Sequence, residues 1–288
     1  MKPNGKRVWQ GAMVAGLLFA SAASAMSGPS VASLNVCTDQ LAMLLAEAGQ
    51  LKSVSVLARD PASSPLHQLA AGLSVNKGVA EEVLLMKPDL VVTGTFSLHN
   101  TTGLLRRLGF KVEEFAYAQS VETISGDIRR MGTLLGQPVK ANAMAARFKA
   151  ELAGFQPLAC SRKPVAIAYG FRGVALGKGT LSDSALQAAG FINLASELEY
   201  EGIAAFPLEL LVQNPPDFII LPNPTPGAPA LADEILSHPA LKQLHGTVTG
   251  HFSRPALLSC GGPFTLDAIR ELRAFAAKLQ PCLKDAGT

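Results

Sequence analysis

Glu81-Glu-Val-Leu-Leu-Met-Lys-Pro-Asp89-Leu-Val-Val92 and Glu209-Leu-Leu-Val-Gln-Asn-Pro-Pro-Asp217-Phe-Ile-Ile220 follow one pattern, once in each half of the chain. In each stretch a glutamate opens a short apolar helix, a Pro-Asp pair ends that helix, and a β-branched run typical of a buried strand follows. The repeat predicts one βα lobe used twice. Two matched lobes suggest a clamp that closes on a ligand, with one carboxylate per lobe offered to a common partner.

The first 25 residues have the features of a cleavable secretory signal. Lys2, Lys6 and Arg7 precede an apolar run over residues 8–20 and a small-residue stretch that ends at Ala25. Cleavage there removes three cations and no anions, which takes the formal charge from +3 to zero. No basic stripe remains to favour nucleic acid. The sequence therefore predicts an exported, periplasmic protein.

Strand and helix patterns alternate along the mature chain. They predict an α/β fold of two βα lobes, at residues 31–137 and 163–288, with parallel strands and a ligand cleft between them. A helical pattern at residues 138–156 predicts a long helix that joins the lobes, and a rigid link of this kind would limit closure to a small rocking motion. The alternative is that this helix lies on the surface of the first lobe.

Four cysteines, Cys37, Cys160, Cys260 and Cys282, allow three disulfide pairings in an oxidising compartment. Cys160 precedes the first strand of the second lobe and Cys282 follows the last helix, so a Cys160–Cys282 bond is the favoured pairing. Cys37 and Cys260 both fall in loops at the expected cleft. Whether they form a bond or stay as two thiols is left open.

Several motifs together carry a resemblance to a known family. The run Ser33-Leu-Asn-Val-Cys-Thr-Asp-Gln-Leu41, the Lys87-Pro-Asp-Leu-Val-Val92 junction, the midchain helix and the turn Cys260-Gly-Gly-Pro263 resemble the iron-siderophore and vitamin B12 class of periplasmic binding proteins. This resemblance implies a non-enzymatic monomer that captures a small-molecule chelate and delivers it to an ABC permease in the inner membrane. It implies no intrinsic cofactor, although the cargo would carry iron or cobalt.

The resemblance also gives Glu81 and Glu209 a role, because a glutamate on each lobe of such proteins docks onto arginines of the permease. Charge-assisted pairs of this kind set orientation and encounter rate. The alternative is that both are solvated carboxylates favoured by the dipole at a helix start.

Ligand contacts are expected in the loops that follow the strands, where α/β lobes bind their ligands. Aromatic side chains there offer flat apolar faces to a chelate, and arginines offer forked donors to its carboxylates or catecholates. The candidates are Cys37, Thr38, Asp39, Arg59 and Phe96 on the first lobe and Tyr169, Arg172, Tyr200 and Arg254 on the second.

Three other functions compete with chelate binding. His67 and His99, with Asp39 or His251, would give a direct zinc or manganese site, although no His-x-His spacing supports one. Haem is a further option, with Tyr169 or His99 as axial ligand. A periplasmic enzyme is the weakest hypothesis, because the chain has neither a Gly-x-Ser-x-Gly elbow nor a glycine-rich phosphate loop.

Overall fold

The computed structural model describes Met1 and residues 28–96, 98–222, 238–242, 244–254 and 256–282. Apart from Met1, the predicted signal sequence at residues 1–25 lies outside the described residues. Within the described ranges, no helix combines the length and the apolar character that a membrane span requires.

The N-terminal lobe is a parallel sheet covered by helices. Its five strands take the order β3-β2-β1-β4-β5, and every neighbouring pair is parallel, as the alternating pattern predicted. The strands are β1 (Val31–Ser33), β2 (Leu51–Ser55), β3 (Val75–Asn76), β4 (Leu90–Gly94) and β5 (Val112–Phe115). The helices are α1 (Val36–Leu45), α2 (Ala80–Met86), α3 (His99–Arg107) and α4 (Ile124–Leu134).

The helix α5 (Pro138–Ala153) connects the lobes and shares one hydrophobic core with both of them. Gly136, at φ 72°, ends α4, and Pro138 begins α5 at a position where a missing N–H costs nothing. Phe148 of α5 belongs to a buried cluster that runs from α4 of the first lobe into two helices of the second, at Leu181–Ala189 and Thr265–Ala276. A continuous core at this end of the molecule restricts relative motion of the lobes to the opposite, open side.

The C-terminal lobe has a mixed sheet in the order β11-β10-β6-β7-β9, with β8 also paired to β6. Its strands are β6 (Val165–Gly170), β7 (Val174–Leu176), β8 (Ile192–Asn193), β9 (Ile203–Ala205), β10 (Phe218–Ile220) and β11 (Val248–Gly250). Its helices are α6 (Leu181–Ala189), α7 (Leu194–Glu197), α8 (Leu208–Gln213), α9 (Pro239–Lys242) and α10 (Thr265–Ala276).

The expectation of parallel strands alone fails at β7. This strand runs antiparallel to β6 and to β9. Only three residues separate β6 from β7, and Arg172 and Gly173 adopt left-handed backbone angles there, with φ 60° and 69°. A connection this short closes a hairpin, since a parallel crossover needs a dozen residues or more.

The two Pro-Asp motifs have the same structural role. The Asp89 carboxylate, ahead of β4, accepts hydrogen bonds from the Ser30 backbone N–H (2.8 Å) and hydroxyl (2.7 Å), next to β1. The Asp217 carboxylate, ahead of β10, accepts one from the Val165 N–H of β6 (2.7 Å). Each aspartate thus fixes the start of the strand that pairs in parallel with its own, so the repeat is structural as well as sequential.

Candidate ligand-binding cleft

A large cavity lies between the lobes, with a volume of about 700 Å³. Pro61, Ala62 and Tyr117 line it from the N-terminal lobe. The opposite wall comes from strands β6, β7, β9 and β10 and from the segment around residues 256–259 of the second lobe. A cavity of this size is in the range that encloses a drug-sized or larger organic ligand.

The wall of this cleft is apolar, and the described part of it contains no lysine, arginine, aspartate or glutamate. Its polar side chains are hydroxyls, such as those of Tyr117, Ser182 and Ser259. Ile203 leaves 74 % of its surface exposed although it lies on the cleft. Apolar area that folding does not bury is available to a ligand.

A smaller cavity, of about 70 Å³, lies beside the cleft at the carboxyl ends of β4 and β5. Tyr117 lies on the walls of both cavities. The small cavity is also lined by Asn35, Cys37, Thr38 and Asp127. Asp127 is the charged side chain on its described wall, and burial raises the pKa of this carboxyl above its ordinary value, against a smaller lowering by Arg130.

Four of the predicted ligand residues lie on these walls. Cys37, Thr38 and Phe96 line the small cavity, and Phe96 is 78 % exposed. Tyr169 lines the large one, but its side chain is only 1 % exposed and its hydroxyl donates to the Phe206 carbonyl oxygen at 3.2 Å. Tyr169 is therefore committed to the core, which counts against its predicted role as a haem ligand.

The other five candidates lie away from these walls. Asp39 is buried, and Arg59 donates to the carbonyl oxygens of Ala70 and Leu73. Tyr200 packs its ring against Phe206 at a centroid distance of 4.9 Å. The remaining two are Arg172, exposed in the β6–β7 turn, and Arg254, paired with Asp267.

None of these five lies on the described walls of either cavity, so their role in ligand binding stays a prediction. A position after a strand does not fix the direction of the side chain.

Tyr117 and Asp127 are absent from the sequence-based candidates. Tyr117 lies two residues past the end of β5, so the rule that selected Phe96 after β4 would have found it. Asp127 lies in the first turn of α4 rather than after a strand, and no spacing in the sequence points to it.

The histidines do not assemble into a metal centre within the described ranges, where no group of three or more His, Cys, Asp or Glu side chains has the geometry to hold a metal ion. His67 Nδ1 lies 3.1 Å from the Ser64 carbonyl oxygen, and His251 Nδ1 lies 2.8 Å from that of Pro222. His99 is exposed at the start of α3. The described histidines thus give a zinc or manganese site no support.

A profile of the periplasmic binding protein family matches residues 31–253 of this chain. The chain belongs to this family. No curated protein sequence matches it significantly. Among solved structures, an ABC transporter substrate-binding protein from Listeria monocytogenes aligns over 88 % of this chain and 99 % of its own, with 14 % identity and a TM-score of 0.66. The protein is thus a substrate-binding component of an ABC importer and not an enzyme.

Other similar structures carry more specific titles. The periplasmic haem-binding protein RhuT from Roseiflexus sp. RS-1 is 22 % identical, with a TM-score of 0.70 over 86 % of this chain and 97 % of its own. The periplasmic vitamin B12-binding protein BtuF of Vibrio cholerae is 17 % identical, with a TM-score of 0.63 over 86 % and 96 %. At such identities the likeness shows the fold of this periplasmic binding protein.

The two matched glutamates of the binding protein occupy equivalent exposed positions. Glu81 lies in the first turn of α2 and Glu209 in the first turn of α8, each preceding an exposed apolar side chain by three residues, Leu84 and Val212. Neither carboxylate makes a hydrogen bond or ion pair with the described residues. Both are available to a partner, and their role in docking stays a prediction.

A disulfide between Cys37 and Cys260 fastens the start of α1 to the turn ahead of α10 at the edge of the cleft. At Gly261 a Cβ would lie 2.5 Å from Ala118 Cβ, so the turn needs glycine to pack this closely on the first lobe. The second disulfide, Cys160–Cys282, is the pairing favoured by the sequence, and it ties the chain end to the strand entry of the second lobe.

We expect the double variant Cys37→Ser, Cys260→Ser to lose about 3 kcal/mol of unfolding free energy, because the bond closes a long loop in the unfolded chain. Urea titration measures the loss. The pair Cys160→Ser, Cys282→Ser is the control, and it should lose slightly less, since its cysteines are 122 rather than 223 residues apart. An unchanged stability for the first variant would contradict a strapping role for Cys37–Cys260.

Asp39 has a structural role that depends on pH. Its carboxylate accepts hydrogen bonds from the Ser55 N–H at 3.0 Å and hydroxyl at 2.5 Å, yet burial raises the pKa to about 7 against the lowering by these bonds. Between about pH 4 and pH 7, Asp39 is therefore protonated in the native state, whereas it has lost its proton in the unfolded state. Because the native state binds this proton more tightly, protonation of Asp39 stabilises the fold fully below about pH 4. The stabilisation is lost as the pH rises to about 7.

We expect Asp39→Asn to remove this dependence. The stability of the variant relative to the native protein should rise by about 2 kcal/mol between pH 5 and pH 8. Urea titrations at the two pH values measure it. If the unfolding free energies of Asp39→Asn and the native protein differed by the same amount at both pH values, the raised pKa of Asp39 would be contradicted.

Proposed function

We propose that this binding protein captures a neutral, amide-bearing chelate of the vitamin B12 type and delivers it to an ABC permease. The observation that carries the proposal is the large interlobe cleft with an apolar wall and no charged side chain in its described part. A corrinoid suits such a wall, because its broad faces are apolar and its rim carries neutral amides. Ferric catecholates are anionic, and they favour clefts that supply arginine or lysine donors.

Haem is the second candidate, and one side chain favours it. Tyr117 is 41 % exposed on both cavity walls, and a tyrosine oxygen is a known ligand for haem iron. Burial raises the pKa of Tyr117, however, which opposes the phenolate that would bind the metal. The two propionates of haem also lack a described cationic partner in the cleft, so we place haem behind the corrinoid.

Export through the leader at residues 1–25 is part of the proposal. Two disulfides are consistent with an oxidising compartment. Amino-terminal sequencing of the protein from a periplasmic fraction should begin at Met26, and a chain that retains Met1 in the membrane fraction would contradict cleavage.

The geometry supports the following proposed transport cycle. The chelate enters the cleft between Tyr117 on one lobe and Ile203 on the other, and the lobes close modestly because α5 and the Cys37–Cys260 bond restrain them. Glu81 and Glu209 then orient the loaded protein on the permease. Separation of the lobes by the ATP-driven transporter releases the cargo, with iron or cobalt still in its chelate.

The test is a binding panel with the mature protein, using cyanocobalamin, haemin, a ferric triscatecholate, a ferric trihydroxamate and zinc chloride. Isothermal titration gives the affinities, and thermal shifts check that binding stabilises the folded state. We expect cyanocobalamin to bind most tightly. Tighter binding of haemin or of a siderophore would overturn the corrinoid assignment, and a zinc response would revive the direct metal site.

A further inference from the structure

The small cavity beside the cleft holds a carboxylate that the fold does not use. Asp127 lies on its wall in the first turn of α4, and its side chain has no hydrogen-bond or ion-pair partner among the described residues. Burial already raises the pKa of this carboxyl. A half-buried acceptor without a partner gains most from a donor that arrives with a ligand.

The nearby cation, Arg130, does not donate a hydrogen bond to Asp127. Arg130, one turn along α4, forms an ion pair with Glu113 at 2.9 Å and donates to the Glu114 carbonyl oxygen at 2.8 Å. Its guanidinium also lies over the Phe115 ring, 4.2 Å from the centroid. Arg130 is thus turned toward β5, and Asp127 is left to the cavity.

We propose that this cavity is a polar subsite that receives one hydrogen-bond-donating group from the rim of the cargo, an amide NH₂ or an amine, with Asp127 as the acceptor. The inference rests on the proposed function and adds a residue that determines specificity. Tyr117 lies on both walls, so a substituent of a ligand held in the cleft reaches the subsite past its ring. A cavity of about 70 Å³ admits one small polar group and excludes a macrocycle.

The arrangement selects by charge. An amide on the cargo donates to the carboxylate, whereas a carboxylate on the cargo meets a like charge in a partly desolvated site. The subsite should therefore reject cargo in which the amide at that position is replaced by an acid.

The experiment compares cyanocobalamin with its separated monocarboxylic acids at pH 8, by isothermal titration on the mature protein. For the native protein we expect at least one acid to bind about tenfold more weakly than the amide. In Asp127→Asn this ratio should collapse toward one, because the asparagine amide donates to the acid and the repulsion is gone. Glu197→Gln removes the same charge at an exposed position on neither described cavity wall and should leave the ratio unchanged.

The possible outcomes distinguish failure of the proposed subsite from failure of the proposed function. Binding of cyanocobalamin with an acid-to-amide ratio that Asp127→Asn does not alter would overturn the subsite and leave the proposed function standing. If haemin binds and corrinoids do not, the proposed function fails. The subsite is then judged on haemin, whose affinity Asp127→Asn should increase by relieving repulsion on a propionate. An unchanged or weaker haemin affinity, or no binding by either class, would overturn the subsite as well.

Discussion

We expect reversal of the two matched glutamates, Glu81→Lys together with Glu209→Lys, to abolish cargo import while the affinity for free cargo stays within about twofold. Both glutamates are exposed in helix first turns on different lobes, and neither has a described partner whose loss would unfold the protein. Two repulsive contacts in place of two attractive ones prevent correct seating on the permease. Uptake of labelled cargo by cells that carry the variant, with titration of the purified protein, measures both quantities.

The control for charge is Glu197→Lys with Glu199→Lys. These are two other exposed glutamates of the second lobe, and their reversal changes the net charge by the same amount. We expect this control to import normally. Uptake by the Glu81, Glu209 variant at the native rate would show that the two residues are only solvated helix-start carboxylates.

The second large effect is expected at Ile203. Ile203→Asp should weaken cargo binding about 100-fold, because it puts a charge into the proposed apolar contact and removes the surface on which we propose that the cargo packs. The side chain is 74 % exposed without ligand, so the change should leave the folded state intact. Titration with cyanocobalamin gives the affinity, and thermal unfolding without ligand checks the fold.

Val139→Asp is the matched control for this substitution. Val139 is 83 % exposed in the first turn of α5 and lies on neither described cavity wall. The Val139→Asp variant should bind cargo with the affinity of the native protein. Equal affinities for Ile203→Asp and Val139→Asp would place the cargo away from β9.

The two-lobe fold is predictable from the sequence because the Pro-Asp repeat constrains where each helix ends and where the next strand begins. A Pro-Asp pair ends each helix, and each aspartate fixes a neighbouring strand, so Asp89 and Asp217 mark the same corner in both lobes. The alternating pattern predicted the parallel first lobe. The hairpin at β7 was missed, since its cause is the left-handed turn at Arg172 and Gly173 rather than hydrophobic periodicity.

The candidate site was harder to predict because side-chain direction is set by packing. The sequence places Asp39 in a loop that contacts the ligand, but Asp39 lies inside α1, which Asn35 caps, and its carboxylate accepts hydrogen bonds from Ser55. The side chain of Tyr169 points into the core of the second lobe, where its hydroxyl donates to the Phe206 carbonyl oxygen. Asp127 reaches the small cavity from the first turn of α4, and its approach to the loop after β5 depends on tertiary packing that no local sequence pattern records.

The most direct test of a chelate held between the lobes is hydrogen exchange of the mature protein with and without saturating cyanocobalamin. We expect slower exchange in two places, the loop around Pro61 and Ala62 on the first lobe and strand β9 around Ile203 on the second. Protection should appear in both lobes at the same ligand concentration. Protection confined to one lobe, or none at a concentration that saturates binding, would contradict the interlobe site.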